Sequence, residues 1–321
     1  MAKVPLSAAE TWGMVIGRDG VRVRTRRSWA VLAAQEADCL CCAATPSPTP
    51  PREMTLRLAL VQMTVTDGAP DENVARAAAL VTAAPPADVY LLPELFTTGY
   101  AHDTWADAAR GAARTLDALQ QLADARDAWI GGSFVAATAD GGIANRMHLL
   151  SPRGASPSSA LVTYDKAHLF PPMGEPERLV AGTTRVRTRV GRGDAAADAA
   201  LSICFDLRFP EHYRRDAADG ATLFLCVAEW PHPRGETLRL LARARAAENQ
   251  AWLALCNRVG AAADGSTFPG GSCIVAPDGT VVADARDAAD VVLIADVDVN
   301  VALRARAAFP VLPLRVPGVD V

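Results

Sequence analysis

The chain has 321 residues, half of them hydrophobic and 21% charged, which is enough apolar mass for one large core and too little charge for a disordered chain. Its net charge of −4, its pI near 5.8 and the scatter of its 32 Lys and Arg residues exclude a general electrostatic affinity for nucleic acid. No apolar run approaches the ~18 residues that a membrane-spanning helix needs, so no membrane partner is expected.

Residues 1–53 differ in composition from the rest. Arg22, Arg24, Arg26 and Arg27 crowd together, Cys39, Cys41 and Cys42 follow, and Pro46, Pro48, Pro50 and Pro51 form a stiff, solvated run. Seven basic residues against five acidic ones leave this segment at only +2. The cysteine cluster lacks a fourth ligand nearby for zinc. Residues 1–53 are therefore expected to be a disordered extension and linker, with Met54 an alternative start and 54–321 the folded domain. Seven cysteines are too few for a disulfide scaffold and no secretory signal opens the chain, so reduced thiols and a cytoplasmic location are expected.

From Thr55 the pattern is regular. Leu56, Leu58 and Leu60 alternate with Arg57 and Ala59 and predict a strand into Gln62. A helix over 73–82 follows, then a strand over 88–92 that stops at Pro93, a long helix over 103–127, and strands over 129–136, 147–150 and 161–164. Later come a strand over 200–204, a helix over 212–219, a strand over 223–228, a helix over 236–250, a strand over 252–256, and a hairpin turning at Asp278 and Gly279. Asp296, Asp298 and Asn300 have the spacing of a calcium loop, but Val301 stands where its turn needs glycine, so they read as a strand end and a helix cap before a helix over 302–309. Strands interleaved with helices imply one α/β domain with layered sheets.

Three strand ends carry reactive groups: Glu94 in Leu92-Pro93-Glu94-Leu95-Phe96, Lys166 in Tyr164-Asp165-Lys166-Ala167-His168-Leu169-Phe170, and Cys204 in Ile203-Cys204-Phe205-Asp206-Leu207-Arg208-Phe209-Pro210-Glu211. A thiol near pKa ~8.5 needs a base or a nearby cation to act as a nucleophile. Glu94 can take its proton, and Lys166 with the Phe205 N–H can stabilise the oxyanion formed on an attacked amide. Cys226, Cys256 and Cys273 lie in apolar runs and read as small buried hydrophobes.

These three extended motifs resemble those of the nitrilase superfamily of carbon–nitrogen hydrolases, and the resemblance covers residues 54–310. It implies a four-layer α-β-β-α sandwich, with Glu94 as general base and acid, Lys166 as oxyanion stabiliser and Cys204 as nucleophile. A second glutamate that supports the lysine is implied at Glu175, with Glu177 its nearest rival, while His168 becomes a packing and hydrogen-bonding residue behind Lys166. Arg245 and Glu248, one helical turn apart, read as a structural ion pair. Trp230-Pro231 and the segment 242–250 also resemble the family, while Asn257-Arg258-Val259-Gly260 and Pro269-Gly270-Gly271-Ser272 are similar to the branch that contains omega-amidases, which act on 2-oxo acid amides such as 2-oxoglutaramate. Phe205-Asp206 after the nucleophile favours an amide over a nitrile. Phe205, Glu229 and Trp230 are the expected substrate-binding residues, and Glu229 departs from the asparagine usual at its position. A charge there, if it faced the cleft, would oppose an anionic substrate.

The expected activity is therefore hydrolysis of a small linear amide to carboxylate and ammonia through a thioester, in a homodimer with no cofactor. N-carbamoyl amidohydrolase and nitrilase chemistry are the nearest alternatives. An acyltransferase that uses the same thioester, and a non-catalytic binding protein on the same scaffold, are alternatives of a different class. A serine amidase is disfavoured because Gly270-Gly271-Ser272-Cys273 stops short of its glycine-rich loop. His102, His148, His168, His212 and His232 form no metal-ligand pair on one helix.

Overall fold

The structure, a computed structural model, describes residues 14–16, 22–24, 55–154 and 161–316. Two short strands, β1 (Met14–Ile16) and β2 (Arg22–Arg24), precede β3 (Thr55–Gln62), α1 (Pro70–Ala83), β4 (Val89–Leu91), α2 (Trp105–Arg110), α3 (Ala112–Arg126), β5 (Trp129–Ala137), β6 (Ile143–Leu150) and β7 (Leu161–Asp165). The second half holds β8 (Arg187–Val190), β9 (Ala197–Ile203), α4 (Pro210–Ala218), β10 (Leu223–Ala228), α5 (Gly235–Asn249), β11 (Trp252–Asn257), β12 (Val259–Ala261), β13 (Thr267–Pro269), β14 (Cys273–Val275), β15 (Val281–Asp284), β16 (Val291–Asp298) and α6 (Asn300–Ala308).

Alternation along β3 decides the layering. Leu56, Leu58 and Leu60 point to one face and pack with Leu201, Ile203, Leu223 and Leu225 of the facing sheet. Ala59 and Val61 point to the other face and join Ala77, Val81, Leu119 and Ala123 of α1 and α3. On the far side, Tyr213 and Ala217 of α4 and Leu238, Ala242 and Ala246 of α5 cover the second sheet. The result is the four-layer α-β-β-α sandwich that the motifs imply. Among the described residues the first sheet runs β2-β1-β16-β3-β4-β5-β6-β7, the second β15-β14-β11-β10-β9-β8, and β12-β13 form a small separate pair.

The strands that matter for the site are parallel: β3, β4 and β5 in one sheet, and β9, β10 and β11 in the other. Parallel strands bring their carboxyl ends to one edge, where clefts form in α/β proteins. There β4 leads to Glu94, β9 to Cys204, β10 to Glu229 and Trp230, and β11 to Arg258.

Several boundaries differ from the sequence reading. The helix expected over 103–127 is two helices, α2 and α3, parted at Gly111, a poor residue for a helix interior. The polar edge strand β8 and the short pair β12-β13 lack the apolar alternation that marks the others. Helix α1 begins three residues early because Pro70 suits the first turn, with Asp71 and Glu72 beside it. Asn300 does open a helix, and its N–H donates to the Asp298 side chain at 2.9 Å. Six residues of the N-terminal segment expected to be disordered are paired, β1 with β16 and with β2. The proline run and the three-cysteine cluster lie outside the described residues. No helix among the described residues is long and apolar enough to cross a membrane.

Candidate active site

Lys166 follows β7 and is fully buried between two fully buried carboxylates, Glu94 and Glu175. Its Nζ donates to Glu94 Oε1 at 2.7 Å and to Glu175 Oε1 at 2.8 Å. An ammonium taken out of water needs such partners, because the cost of burying an unpaired charge is several kcal/mol. Burial works to lower the Lys166 pKa, but the charges of Glu175 and Glu94 outweigh it and hold the pKa well above the ordinary value. Lys166 is therefore a fixed cation.

Glu94 is held from every side. Its Oε1 also accepts from Asn145 Nδ2 at 2.8 Å, and its Oε2 accepts from the Glu229 backbone N–H at 2.7 Å. Burial raises its pKa, with Lys166 pulling the other way. Glu175 is fastened by Tyr100 Oη at 3.1 Å and by the Phe170 N–H at 2.6 Å, whereas its rival Glu177 is exposed. Asn145 and Tyr100 carry no motif and were not expected at the site. Asn145 had a signal, since it shares the inward face of β6 with Met147 and Leu149 and is a lone amide among apolar residues.

Cys204 stands where β9 ends, with φ of +44°. A non-glycine residue in this region costs roughly 1 kcal/mol or more, and such strain persists only where its surroundings enforce it. Asp206 does the enforcing. Its carboxylate accepts from the Ile203 N–H at 2.9 Å, the His168 N–H at 3.0 Å and Tyr164 Oη at 2.7 Å, and it contacts His168 Nδ1 at 2.7 Å. One buried carboxylate thus ties the cysteine turn to the Lys166 strand. His168 stacks on Phe209 with ring centroids 3.6 Å apart, a structural position. Burial pushes the Cys204 pKa well up and the neighbouring Glu94 carboxylate adds to the rise, while Lys166 opposes them. The resting group is therefore a neutral thiol beside a carboxylate.

Cys204 opens onto a cleft of about 220 Å³ lined by Phe170, Phe205, Arg208, Trp230, Pro231 and Arg234. Phe205 and Trp230, the expected substrate-binding residues, both line it. Glu229 is not on this wall: its side chain is buried and accepts from Arg258 Nη1. Burial pushes the Glu229 carboxyl up to about 8 even beside Arg258. Arg208 lies over Trp230 at 5.1 Å and Arg234 over Phe170 at 5.6 Å, and neither pairs with a carboxylate among the described residues. The sequence reading quoted Arg208 only within a motif and did not single out Arg234 at all.

The remaining motifs have structural work. Asn257 accepts from the Trp230 N–H at 2.8 Å and donates to Gly270 O at 2.6 Å, which fixes Trp230 at the cleft. Gly270 has φ of +65°, and a Cβ there would meet Arg286 O at 2.5 Å. Arg245 and Glu248 form the expected ion pair at 3.0 Å. Cys226, Cys256 and Cys273 are buried and free, and burial pushes Cys226 and Cys273 up to about 12.

Comparison with known proteins agrees with this geometry. The family model described as carbon-nitrogen hydrolase matches residues 57–307. An omega-amidase of Yersinia enterocolitica is 35% identical over 258 residues, 80% of this chain and 95% of that protein. A 2-oxoglutaramate amidase of Bacillus subtilis is 32% identical over 260 residues, 80% of this chain and 96% of the relative. The crystal structure of a CN-hydrolase superfamily protein from Xanthomonas campestris, with an arsenic adduct in its active site, is 30% identical with a TM-score of 0.73, covering 81% of this chain and 96% of that one. A buried carboxylate–lysine–carboxylate cluster beside a strand-end cysteine, in a sandwich that aligns along nearly the whole length of these relatives, leaves one conclusion: the chain belongs to the carbon-nitrogen hydrolase family.

Proposed function

We propose that the protein is an omega-amidase, hydrolysing the amide of a small linear substrate whose other end is a carboxylate, with 2-oxoglutaramate the first substrate to test. The observation that carries this reading is the cleft wall: two arginines without acidic partners among the described residues stand over aromatic rings in the cleft that Cys204 also lines. A guanidinium is the side chain best suited to bind a carboxylate by paired hydrogen bonds. Glu229 removes no support, because its carboxylate is held by Arg258. The substrate in the name of the similar Bacillus subtilis enzyme, 2-oxoglutaramate, fits the same description, and the similar Yersinia enterocolitica protein is named an omega-amidase.

In the proposed reaction Cys204 Sγ attacks the amide carbon while the thiol proton passes to Glu94. The negative charge that forms on the carbonyl oxygen is stabilised by Lys166 Nζ and the Phe205 N–H. Glu94 returns the proton to the nitrogen, the C–N bond breaks, and ammonia leaves behind a thioester on Cys204. Water then attacks the thioester, Glu94 takes its proton, and the carboxylate product departs as the thiol is restored. Glu175, anchored by Tyr100 and Phe170, keeps the lysine aimed and balances its charge. The four cysteines among the described residues are free and buried, which suits a reducing, cytoplasmic setting.

The test is ammonia release from 2-oxoglutaramate, 2-oxosuccinamate, glutamine, an N-carbamoyl amino acid and an aliphatic nitrile, run beside Cys204→Ala. Release from the oxo-acid amides, lost in the variant, is the expected result. Release from the carbamoyl compound or the nitrile alone would overturn the substrate assignment.

A further inference from the structure

A further buried charged group, Arg258, lies outside the lining of the cleft. Arg258 is fully buried, and its Nη2 contacts Asp67 Oδ1 at 3.0 Å while donating to Val65 O at 2.8 Å and to Ala261 O at 3.1 Å. Its guanidinium also lies 4.3 Å from the Phe268 ring centroid. A side chain held from so many directions is a rigid post. The chain makes room for it at Gly99, where φ is +54° and a Cβ would meet Asp67 Oδ1 at 2.5 Å and Arg258 Nη1 at 2.7 Å.

Glu229 is the link from this post to the site. Its Oε1 accepts from Arg258 Nη1, and its Oε2 is buried without a hydrogen-bond partner among the described residues. Its backbone N–H meanwhile donates to Glu94 Oε2 at 2.7 Å. The preceding peptide is clamped too, since Ala228 O accepts from the Glu94 N–H at 3.4 Å and from the Arg258 N–H at 3.0 Å. Glu94 Oε1 is already taken by Lys166 and Asn145, so the Glu229 N–H governs the other oxygen. We infer that Glu229 is a positioning residue, which anchors its own backbone to the Arg258 post and thereby aims the Glu94 carboxylate at the Cys204 thiol. This rests on the reading of Glu94 as the proton acceptor of Cys204.

The role depends on reach, and reach can be separated from charge. Glu229→Asp keeps the carboxylate but shortens the side chain by one methylene, so the backbone must shift or the Arg258 contact must break. Glu229→Gln keeps the length and an oxygen for Arg258 but removes the ionisable group. Two readouts apply to both variants: kcat and KM for ammonia release, and the second-order rate of Cys204 alkylation by iodoacetamide, located by mass spectrometry. Thermal unfolding confirms that each variant is folded.

The expected result is that Glu229→Asp lowers kcat and the alkylation rate at least tenfold with KM within twofold, and that Glu229→Gln loses about threefold in both. A misplacement near 1 Å is known to cost about 10²-fold in rate, so a tenfold floor is modest. Three outcomes overturn the inference: Glu229→Asp as active as the parent, Glu229→Gln more damaging than Glu229→Asp, or an effect on KM with kcat unchanged, which would place Glu229 in contact with substrate. Glu94→Gln separates the levels. If it alkylates and turns over as the parent does, the underlying reading of Glu94 fails; if it is inactive while Glu229→Asp is normal, only the positioning role fails.

Discussion

Asp206→Asn probes the joint between the nucleophile and the lysine strand. Asp206 Oδ1 serves the backbone N–H and Nδ1 of His168, and Oδ2 serves Tyr164 Oη and the Ile203 N–H. In asparagine one of those oxygens becomes an NH₂ group. Tyrosine and histidine can reverse their roles and accept, but a backbone N–H cannot, so whichever way the amide turns, one buried N–H faces a donor. That unsatisfied group costs about 1–3 kcal/mol, and the loss of charge from the other bonds adds about as much, for a total of about 2–6 kcal/mol. In a domain of this size such a loss lowers Tm by about 10 °C.

The pH dependence of the same variant has a definite sign. Burial alone would raise the Asp206 pKa, but the hydrogen bond to His168, the nearby His212, and the bonds from Tyr164 and Ile203 hold it below the ordinary 3.8. A carboxylate with a depressed folded-state pKa contributes stability above its unfolded pKa and loses it as the pH falls through the folded value. The stability gap between parent and Asp206→Asn should be full at pH 5 and above, and should narrow below about pH 4. Thermal unfolding from pH 3 to pH 8 measures both points. A gap under 1 kcal/mol at pH 7, or one that widens in acid, would refute the reasoning.

Further outcomes follow from the same geometry. Cys204→Ala should abolish ammonia release without unfolding the protein, whereas Cys226→Ala should leave it largely intact; equal loss in both would contradict the assignment. Lys166→Met leaves two buried carboxylates without their cation and should lower kcat by about 10²–10³ and stability by about 3–5 kcal/mol, measured by single-turnover kinetics and thermal unfolding. Arg208→Met and Arg234→Met should each raise KM at least tenfold for an amide that carries a carboxylate and change it little for a neutral amide of equal length. Glu229, raised from 4.5 to about 8, holds its proton more tightly when folded, so its contribution to stability is full below about pH 4.5 and is lost as the pH rises through 8. Glu229→Gln should therefore flatten the decline in Tm across that window, and an unchanged slope would count against the buried, proton-holding carboxyl.

The parts of the site that were legible in the sequence are those with a dense local pattern. Glu94, Lys166 and Cys204 each end a strand and sit inside an extended motif, and Asp206, His168 and Phe205 travel with them. Asn145 and Tyr100 are contributed by a strand and a turn that carry no motif, and they reach Glu94 and Glu175 only after folding. The direction of Glu229 was not readable because β10 is buried on both faces, so its pattern has no polar side to extend past Ala228. Strand β8 is hidden for the opposite reason: Arg187, Thr188 and Arg189 form a polar edge beside β9, with no apolar alternation to mark it. The break at Gly111 was overlooked because the amphipathic pattern continues across it.

A covalent acyl intermediate on Cys204, beside the Glu94–Lys166–Glu175 cluster, is the species on which the proposed reaction turns, and it can be trapped. The enzyme would be mixed with excess 2-oxoglutaramate, quenched in acid within its first turnover, digested and examined by mass spectrometry. The peptide bearing Cys204 should gain the mass of the substrate minus ammonia, the gain should disappear on treatment with hydroxylamine, and Cys204→Ala should show neither adduct nor turnover. An adduct on any other residue, or ammonia release that survives in Cys204→Ala, would contradict the proposed reaction.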